Sequence, residues 1–283
     1  MDISIDYLTS FTYASPVRES QNIVRACPLD EPAQQLLRFR LETDPASRIL
    51  HHRDAWGTRV DTFGIREAHT SLTIRAHAQV RTSSRPEPPE DLAAPIDEDY
   101  RLSNVVMSRA TKHTTWTEEM AESARDIVAG ADRPVEMAIA VRDAVSSRFD
   151  YRSGVTHVGI DVEEVWEARE GVCQDFAHVS IALLRSLGLA ARYVSGYLYA
   201  SDPIHPGVGS SPIETQTHAW AEVCLPDWGW WPIDPSNGGT VGERHVVIGR
   251  GREYDDVSPI RGVYFGDDEQ HSRAVVRMAA SEQ

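Results

Sequence analysis

The sequence contains very little lysine, few cysteines and no long apolar run among its 283 residues. Lys112 is the single lysine, so arginine supplies nearly all of the basic charge, a bias that coding in a GC-rich genome explains. No segment approaches the ~20 consecutive apolar residues that cross a membrane as a helix. The stretch from Met1 to Asp6 carries acidic residues where a secretion signal needs basic ones. We therefore expect a cytoplasmic protein.

Cysteine and histidine are not spaced as metal ligands. The cysteines are Cys27, Cys173 and Cys224, and the sequence has neither a Cys-x-x-Cys nor a His-x-x-x-His pair, the spacings that zinc sites commonly use. No acidic loop has the ligand spacing of a calcium site. We therefore expect no metal and no cofactor. In a reducing cytosol the three cysteines are expected to be free thiols.

The charge balance argues against polyanionic partners. The chain has 28 basic and 43 acidic side chains, which give a formal net charge of −15 at pH 7. Such a surface repels the phosphates of nucleic acids and of anionic membranes, so neither is an expected partner. Apolar residues make up 41% of the chain and charged residues 25%. This composition is typical of a globular protein, and the length is sufficient for two domains.

Alternating apolar residues predict strands in the first 82 residues. From Ser71 to Val80 every second side chain is apolar, which is the pattern of a strand with one face in a core. The segment Ala55 to Arg59 predicts a hairpin turn between two further apolar runs. We interpret residues 1–82 as an antiparallel β domain, a sandwich.

Residues 83–99 are interpreted as a linker because prolines and acidic residues are concentrated there. The apolar spacing then becomes helical at Glu118 to Val128 and again at Val135 to Phe149. The polar segment Ser201 to Gln216 predicts a long loop. Strands are predicted on either side of it, at Ala191 to Tyr199, Thr217 to Leu225 and Trp230 to Asp234. The fold class is therefore α+β, and residues 100–283 are interpreted as a second domain in which helices pack on an antiparallel sheet.

Cys173 is the cysteine whose position favours reactivity. It follows a turn that contains Gly171, and it stands in the first turn of a predicted helix that Gly188 ends. Free amides and the helix dipole at such a position stabilise an anion, which lowers the pKa of a thiol toward the nucleophilic thiolate. Cys27 and Cys224 do not begin a helix, and we interpret them as small buried side chains.

A thiolate nucleophile needs a histidine as base and proton carrier. His178 lies five positions after Cys173 on the same helix, about 140° around its axis, and is a poor partner. His218 opens a predicted strand, where it is held rigidly and can face a cleft. Asp234 ends the next strand and could orient the imidazole, although an aspartate before proline is also a common turn residue.

Four segments of the second domain contain or adjoin these candidate residues, in the order Gly171-Val172-Cys173-Gln174-Asp175-Phe176-Ala177-His178, Leu189-Ala190-Ala191-Arg192-Tyr193-Val194-Ser195-Gly196-Tyr197, Thr217-His218-Ala219-Trp220-Ala221-Glu222-Val223 and Asp234-Pro235-Ser236-Asn237. Together they resemble the core of the transglutaminase-like superfamily, and most of all the bacterial branch described as transglutaminase-like cysteine proteases. The N-terminal region, with Tyr13, Pro16-Val17 and Asp54-Ala55-Trp56-Gly57, is similar to the β-sandwich domain of that branch. The resemblance covers nearly the whole chain.

The resemblance implies a papain-like core, in which a nucleophile helix packs on an antiparallel sheet. It implies a catalytic triad with Cys173 as nucleophile, His218 as general base and acid, and Asp234 as the partner that orients the histidine. It further implies attack on a peptide or glutamine side-chain amide through a thioester intermediate. The acyl group would then pass to water, as in a cysteine protease or amidase, or to an amine, as in a transglutaminase.

Three further features belong to the predicted site. The backbone N–H of Cys173 is expected in the oxyanion hole, but the sequence does not identify a second donor. Trp220 shares a strand face with His218, where it either lines the substrate cleft or packs in the core. Asp175 and Arg192 are candidates for a structural ion pair behind the helix.

Two classes of function follow from this pattern. The first is an enzyme whose partners are a peptide or protein amide substrate and, for transamidation, an amine acceptor. The second is a catalytically silent binding or scaffold module of the same superfamily, which the presence of all three triad residues disfavours. The sequence leaves the substrate, the acceptor and the number of subunits open.

Overall fold

The computed structural model describes residues 1–152, 160–199, 213–215, 217–266 and 270–281. Most of the predicted loop from Ser201 to Gln216 lies outside these residues, and within it only 213–215 is described, as a short strand. None of the described helices is both long enough and apolar enough to cross a membrane.

Six strands make up most of the N-terminal region, as the alternating sequence predicts. They are β1 (Asp2–Val17), β2 (Ser20–Val24), β3 (Gln34–Asp44), β4 (Leu50–Arg53), β5 (Arg59–Ile65) and β6 (His69–Thr82). The apolar side chains between 71 and 80 are at most 4% exposed, so the predicted strand and its inward face are confirmed. β4 and β5 pair antiparallel across the predicted hairpin turn.

Two antiparallel sheets enclose the N-terminal core. The larger sheet has the strand order β10-β16-β1-β6-β3 and the smaller has the order β15-β2-β5-β4, where the later strands are β10 (Ile213–Thr215), β15 (Ile260–Tyr264) and β16 (Gln270–Ser281). Ile5 of β1 and Phe63 of β5 belong to one buried cluster, so the two sheets share a core. This arrangement confirms the predicted sandwich.

The last two strands belong to this sandwich, which corrects the predicted domain boundary. β16 pairs antiparallel with β1 along its whole length, and β15 pairs with β2. Val276 and Met278 of β16 are buried in the N-terminal cluster. The prediction that residues 100–283 form one catalytic unit is therefore wrong at its C-terminal end. The reason is that alternation identifies a strand but not the distant strand with which it pairs.

A second unit of helices and strands is inserted between these parts of the sandwich. Its helices are α1 (Glu98–Ser103), α2 (Val105–Ser108), α3 (Glu118–Ile127), α4 (Pro134–Arg148), α5 (Val162–Ala168), α6 (Cys173–Ser186) and α7 (Tyr254–Val257), and its strands are β7 (Asp150–Tyr151), β8 (Glu170–Gly171), β9 (Ala191–Leu198), β11 (Thr217–Leu225), β12 (Gly229–Asp234), β13 (Gly239–Thr240) and β14 (His245–Gly251). The two predicted helices are observed as α3 and α4, and the three predicted strands as β9, β11 and β12. The α+β class is confirmed.

Helix α6 packs on one face of a five-stranded antiparallel sheet with the order β13-β12-β11-β9-β14. Ala219, Ala221 and Val223 of β11 share a buried cluster with Phe176 and Leu184 of α6. Full burial of a side chain as large as leucine stabilises the fold by about 1.5–3 kcal/mol, so this contact holds the helix firmly against the sheet. The start of α6 and the start of β11 come together at one end of the unit.

Candidate active site

Cys173 is the first residue of α6. The residue before it, Val172, is extended, with φ −115° and ψ −179°, and caps the helix. The carboxylate of Asp175 accepts the backbone N–H of Val172 at 2.9 Å, which fixes the turn that presents the thiol. Cys173 is partly exposed, and the backbone amides at a helix start stabilise negative charge on a thiol there.

His218, the second residue of β11, joins this thiol to Asp234. Its Nε2 lies 2.9 Å from Oδ2 of Asp234, and the imidazole also hydrogen-bonds the side chain of Cys173. Because Asp234 engages Nε2, the nitrogen left for the thiol is Nδ1. The structure thus brings the three predicted residues together in the order thiol, imidazole, carboxylate.

Asp234 lies at the end of β12 and is fully buried, with 0% exposure. Its Oδ1 accepts the backbone N–H groups of Ser236 and Asn237 at 3.0 and 3.3 Å. Its Oδ2 accepts the imidazole of His218 and the side-chain amide of Asn237, the latter at 2.7 Å. The contacts of a turn aspartate are therefore made by Oδ1, and the contact with the imidazole of His218 is made by Oδ2.

His245 is a fourth member of the group that the sequence analysis missed. This residue begins β14 and its Nε2 lies 3.1 Å from Oδ2 of Asp234. Its Nδ1 accepts the backbone N–H of Gly242 at 3.3 Å, so the ring proton must be on Nε2 and is donated to the carboxylate. The sequence offers one local signal, a histidine directly before the apolar run Val246-Val247-Ile248, and it does not indicate the contact with Asp234.

The charges of these groups depend on one another. Burial lowers the pKa of His218, but the hydrogen bonds and charges of Asp234 and Cys173 outweigh burial and raise it to about 9. Burial raises the pKa of the Asp234 carboxyl, yet hydrogen bonds from His218, His245 and Asn237 hold it well below its usual range. At neutral pH the imidazole is therefore protonated and the carboxylate ionised. A cationic imidazole beside a thiol is the arrangement that favours a thiolate.

Trp220 is fully buried, with 0% exposure, and does not line an open cleft. It belongs to a small buried cluster with Val194 and Val247. Its ring lies 5.9 Å from the ring of His218 and meets the ring of His245 edge-on at 5.3 Å. The core-packing interpretation of Trp220 therefore matches the structure, and the ring supports two imidazoles and offers no surface to a substrate.

The other thiols and the nearest histidine lie outside this group. Cys27 is buried, which raises its pKa to about 12, and burial also raises the pKa of Cys224. His178 stacks on His113 at 5.5 Å and accepts the backbone N–H of Tyr254 at 3.2 Å. Burial lowers the pKa of His178 to about 3, so it is neutral and serves packing, as the helical geometry predicts.

The predicted ion pair between Asp175 and Arg192 is wrong. Arg192 pairs instead with Glu222 on the adjacent strand, with Nε 2.6 Å from Oε2. Residues 192 and 222 lie directly opposite each other in the β9–β11 ladder, which places their side chains on the same face. The sequence alone does not show which residues of β9 and β11 lie opposite each other.

Two groups of described side chains bring three possible metal-ligand atoms within 4.8 Å of one another. They are His218 with Asp234 and His245, and His113 with Glu253 and Asp255. In the first group the atoms are already joined by hydrogen bonds, and an ion would have to displace the shared protons. In the second, Asp255 is paired with Arg261 at 2.6 Å. Neither arrangement favours a resident metal.

Comparison with known families matches two parts of the chain. Residues 121–235 match the model of the transglutaminase-like superfamily core. Residues 3–81 match the model of the bacterial transglutaminase-like N-terminal region. The first match contains all three predicted triad residues, and the second covers most of the N-terminal strands.

Similar proteins occur in mycobacteria. An uncharacterized protein of Mycobacterium leprae is 34% identical over 266 residues, which cover 91% of each chain. An uncharacterized protein of Mycobacterium tuberculosis is 36% identical over 280 residues, which cover 94% of this chain and 88% of the relative. A protein-glutamine gamma-glutamyltransferase of Pseudomonas aeruginosa is 30% identical over 79 residues, 28% of this chain and 11% of the relative.

A solved structure shows the same fold. The crystal structure of a candidate cysteine protease from Cytophaga hutchinsonii superposes with a TM-score of 0.77 at 22% identity. The superposition covers 100% of this chain and 91% of the other. At this identity the likeness establishes the architecture of both units and leaves activity to the chemistry of the site.

Proposed function

Because this chain belongs to the transglutaminase-like superfamily, we propose that it is an enzyme that transfers acyl groups from amides through a thioester on Cys173. The observation that carries the proposal is the contact of Cys173 with the imidazole of His218, which the buried carboxylate of Asp234 holds at 2.9 Å. A thiol at a helix start, an imidazole and an orienting carboxylate are the parts of nucleophilic cysteine catalysis.

In the proposed mechanism the Cys173 thiolate attacks the carbonyl carbon of a peptide or glutamine side-chain amide. A sulfur–carbon bond forms, and the electron pair of the C=O bond moves to the oxygen. When this intermediate collapses, the C=O bond re-forms and the C–N bond breaks, and the leaving amine takes a proton from His218. An acceptor then attacks the thioester carbonyl, gives a proton to His218 and releases the thiolate.

We propose water as the acceptor, so that the reaction is hydrolysis. Cys173 is partly exposed, and Tyr151 beside it is 54% exposed, so solvent reaches the described part of the site. A transferase has to exclude water or bind its amine tightly before the thioester is hydrolysed. Transamidation to an amine is the competing outcome that the assay decides.

The first test is the pH dependence of alkylation by iodoacetamide, with each cysteine followed separately by mass spectrometry. In the wild type we expect Cys173 to react rapidly at pH 6–7, well below the ~8.5 of a free thiol. Cys27 and Cys224 serve as internal controls and should react slowly, because burial raises both pKa values. His218→Ala should remove the rapid phase at Cys173 alone. Ordinary reactivity of Cys173 in both proteins would favour the binding-module alternative.

The second test identifies the acceptor of the acyl group. A blocked glutaminyl-glycine peptide is incubated with the enzyme, with and without a primary amine, and ammonia, the glutamyl-glycine product, free glycine and the amine adduct are quantified. Hydrolysis of the side-chain amide predicts ammonia and glutamyl-glycine in equal amounts, hydrolysis of the peptide bond predicts free glycine without ammonia, and transamidation predicts the adduct and ammonia in equal amounts. Cys173→Ala is the blank for both reactions, and products that persist in this variant would overturn the assignment of the nucleophile.

A further inference from the structure

Tyr151 is held beside the turn that leads into Cys173. It is the last residue of β7, which pairs in parallel with β8, so that Tyr151 lies opposite Gly171. Two backbone hydrogen bonds fix this register, from the N–H of Asp150 to Arg169 O at 2.8 Å and from the N–H of Arg152 to Gly171 O at 2.9 Å. Tyr151 is therefore anchored beside Gly171, which stands two residues before the candidate nucleophile. Tyr151 itself lies much earlier in the sequence.

The hydroxyl of Tyr151 meets two different atoms of Cys173. It is within hydrogen-bonding reach of the side-chain thiol and of the backbone N–H of the same residue. The tyrosine ring lies edge-on to Phe176 of α6, with 6.0 Å between centroids, which limits the directions in which the hydroxyl can point. The side chain remains 54% exposed, so a substrate can reach the hydroxyl.

These contacts coincide with the place where a carbonyl oxygen would lie during the proposed reaction. An acyl group bonded to Sγ of Cys173 has its oxygen within reach of the helix-start amides, and the N–H of Cys173 is the nearest of these. A second donor must lie within hydrogen-bonding distance of the same point, close to both the sulfur and this amide. The hydroxyl of Tyr151 fulfils both conditions.

We propose that Tyr151 is a catalytic residue that donates the second hydrogen bond of the oxyanion hole, with the backbone N–H of Cys173 as the first. This inference rests on the proposed function and extends it. In the free enzyme the tyrosine oxygen accepts the Cys173 amide. When substrate binds, the carbonyl oxygen takes that amide, and the tyrosine hydroxyl turns to donate to it.

The hydroxyl acts as a hydrogen-bond donor and keeps its proton throughout. As the S–C bond forms, the electron pair of the C=O bond moves to the oxygen, which the two donors stabilise. As the C–N bond breaks, the pair returns to the carbon–oxygen bond. Burial, followed by the charge of Cys173, raises the pKa of Tyr151 to about 12, so the donor is protonated at every pH at which the thiolate–imidazolium pair exists.

Two reactions of the Cys173 sulfur distinguish a role of Tyr151 in the oxyanion hole from an effect of Tyr151 on the reactivity of the thiol itself. Iodoacetamide alkylates the thiolate by displacement of iodide, and no oxyanion forms. p-Nitrophenyl acetate acylates the thiolate through a tetrahedral oxyanion, with p-nitrophenolate leaving without a proton. Tyr151→Phe removes only the hydroxyl oxygen and keeps the ring on Phe176. Tyr264→Phe, in the distant β15, is the matched control.

We expect Tyr151→Phe to slow acylation of Cys173 by roughly 10²–10³-fold, the usual effect of losing one oxyanion donor. The plateau rate of alkylation, measured across the pH range of each variant, should change no more than it does in Tyr264→Phe. Equal losses in both reactions would show that Tyr151 positions the thiol, and unchanged acylation would show that it has no role. Either result overturns the proposal.

Failure of the underlying function would look different. In that case Cys173 of the wild type would already alkylate like an ordinary thiol and ignore His218→Ala, and the Tyr151 proposal would fall with it. A normal wild-type alkylation profile together with unaltered acylation in Tyr151→Phe would leave the thiolate–imidazole pair standing and reject the tyrosine alone.

Discussion

His245 donates its Nε2 proton to Oδ2 of Asp234 at 3.1 Å, the same oxygen that receives the Nε2 proton of His218 at 2.9 Å. One carboxylate oxygen thus holds two imidazoles, and only His218 contacts the thiol. A neutral donor on a carboxylate disperses part of its negative charge. We therefore expect His245 to moderate the pull of Asp234 on His218, and its hydrogen bond also holds the carboxylate in place.

Replacement of His245 by phenylalanine should change both the stability and the pH profile. Loss of a hydrogen bond to a buried carboxylate is expected to lower the free energy of unfolding by about 1.5–3 kcal/mol. The undispersed charge on Asp234 should raise the pKa of His218, so the alkaline limb of amide kcat/KM should move to higher pH. Urea denaturation and the pH–rate profile measure the two effects.

The matched control for this change is His77→Phe. His77 also contacts a carboxylate, with Nδ1 2.8 Å from Oδ1 of Asp6, but the two side chains are 39% and 66% exposed. An exposed pair contributes about 0–1 kcal/mol to stability, so His77→Phe should change the free energy of unfolding little. Because His77 lies on β6 of the sandwich, outside the candidate site, the variant should also keep the wild-type alkaline limb. An unmoved limb in His245→Phe would contradict a moderating role and leave His245 as a packing residue.

Under the proposed mechanism, activity on amides should fall as pH rises through about 9, because the leaving amine would take its proton from His218 and the pKa of that group is raised to about 9. In Asp234→Asn the negative charge that raises this pKa is lost. The alkaline limb should therefore move to lower pH, and kcat/KM at pH 7 should fall by several orders of magnitude, about 10⁴-fold in a comparable triad. A limb that stays at the same pH in this variant would show that another group sets it.

The same pKa values predict how stability depends on pH. The folded pKa of His218 is raised above its unfolded value of ~6.5, so its contribution is complete below ~6.5 and is lost as pH rises through about 9. The folded pKa of Asp234 is lowered, so its contribution is present above its unfolded value and is lost as pH falls. The difference in unfolding free energy between wild type and Asp234→Asn should therefore be largest near pH 5–6.5 and shrink by pH 10. Urea denaturation at three pH values measures this difference.

Glu222 should be among the most sensitive charged residues outside the site. Its side chain is 3% exposed and pairs with Arg192 and Arg250, and Arg250 continues to Glu31 of the sandwich at 2.8 Å. Removal of one member leaves buried charges without their partner, which costs about 3–5 kcal/mol. We expect that loss of unfolding free energy in Glu222→Gln, measured by denaturant titration.

The control for Glu222→Gln is Glu42→Gln. Glu42 pairs with Arg40 and its side chain is 53% exposed, so its replacement should change the free energy of unfolding by less than about 0.5 kcal/mol. Burial raises the pKa of Glu222, but Arg250 and Arg192 outweigh it and lower the pKa to about 2. Its contribution is thus present above ~4.5 and lost as pH falls toward 2. Equal losses of unfolding free energy in Glu222→Gln and Glu42→Gln would argue against a buried network of charges around Glu222.

Local patterns in the sequence predict individual turns, helix starts and contacts between strands that follow each other closely in the chain. The start of α6 could be predicted because a glycine turn, a cysteine and an apolar stripe stand within a few residues of one another. His218 and Asp234 could be paired because they lie on adjacent antiparallel strands, where a short connection restricts the geometry. The structure brings these residues together as the pattern indicates.

Residues that depend on distant pairing could not be predicted. His245 reaches Asp234 only because β14 pairs with β9 on the far side of the sheet. Tyr151 reaches Cys173 through a two-residue parallel pairing that no periodicity shows. No strand is predicted from the sequence at Gln270–Ser281, and the partner of β16, β1, lies at the other end of the chain. In each case the packing of the whole chain, and not the local sequence, selects the contact.

Gly171 tests whether the turn before Cys173 sets the reactivity of the thiol. A Cβ added there would lie 2.8 Å from Oδ2 and 2.9 Å from Cβ of Asp175, too close for the carboxylate to keep its bond to the N–H of Val172. Gly171→Ala should therefore destabilise the start of α6, by about 0.5–2 kcal/mol as for a lost cap, and slow alkylation of Cys173 at pH 6–7. Gly239→Ala, whose added Cβ would meet Asn237 O at an ordinary 3.8 Å, should leave both quantities unchanged. Full alkylation reactivity in Gly171→Ala despite a measurable loss of stability would show that the contact with His218, and not the helix start, sustains the thiolate.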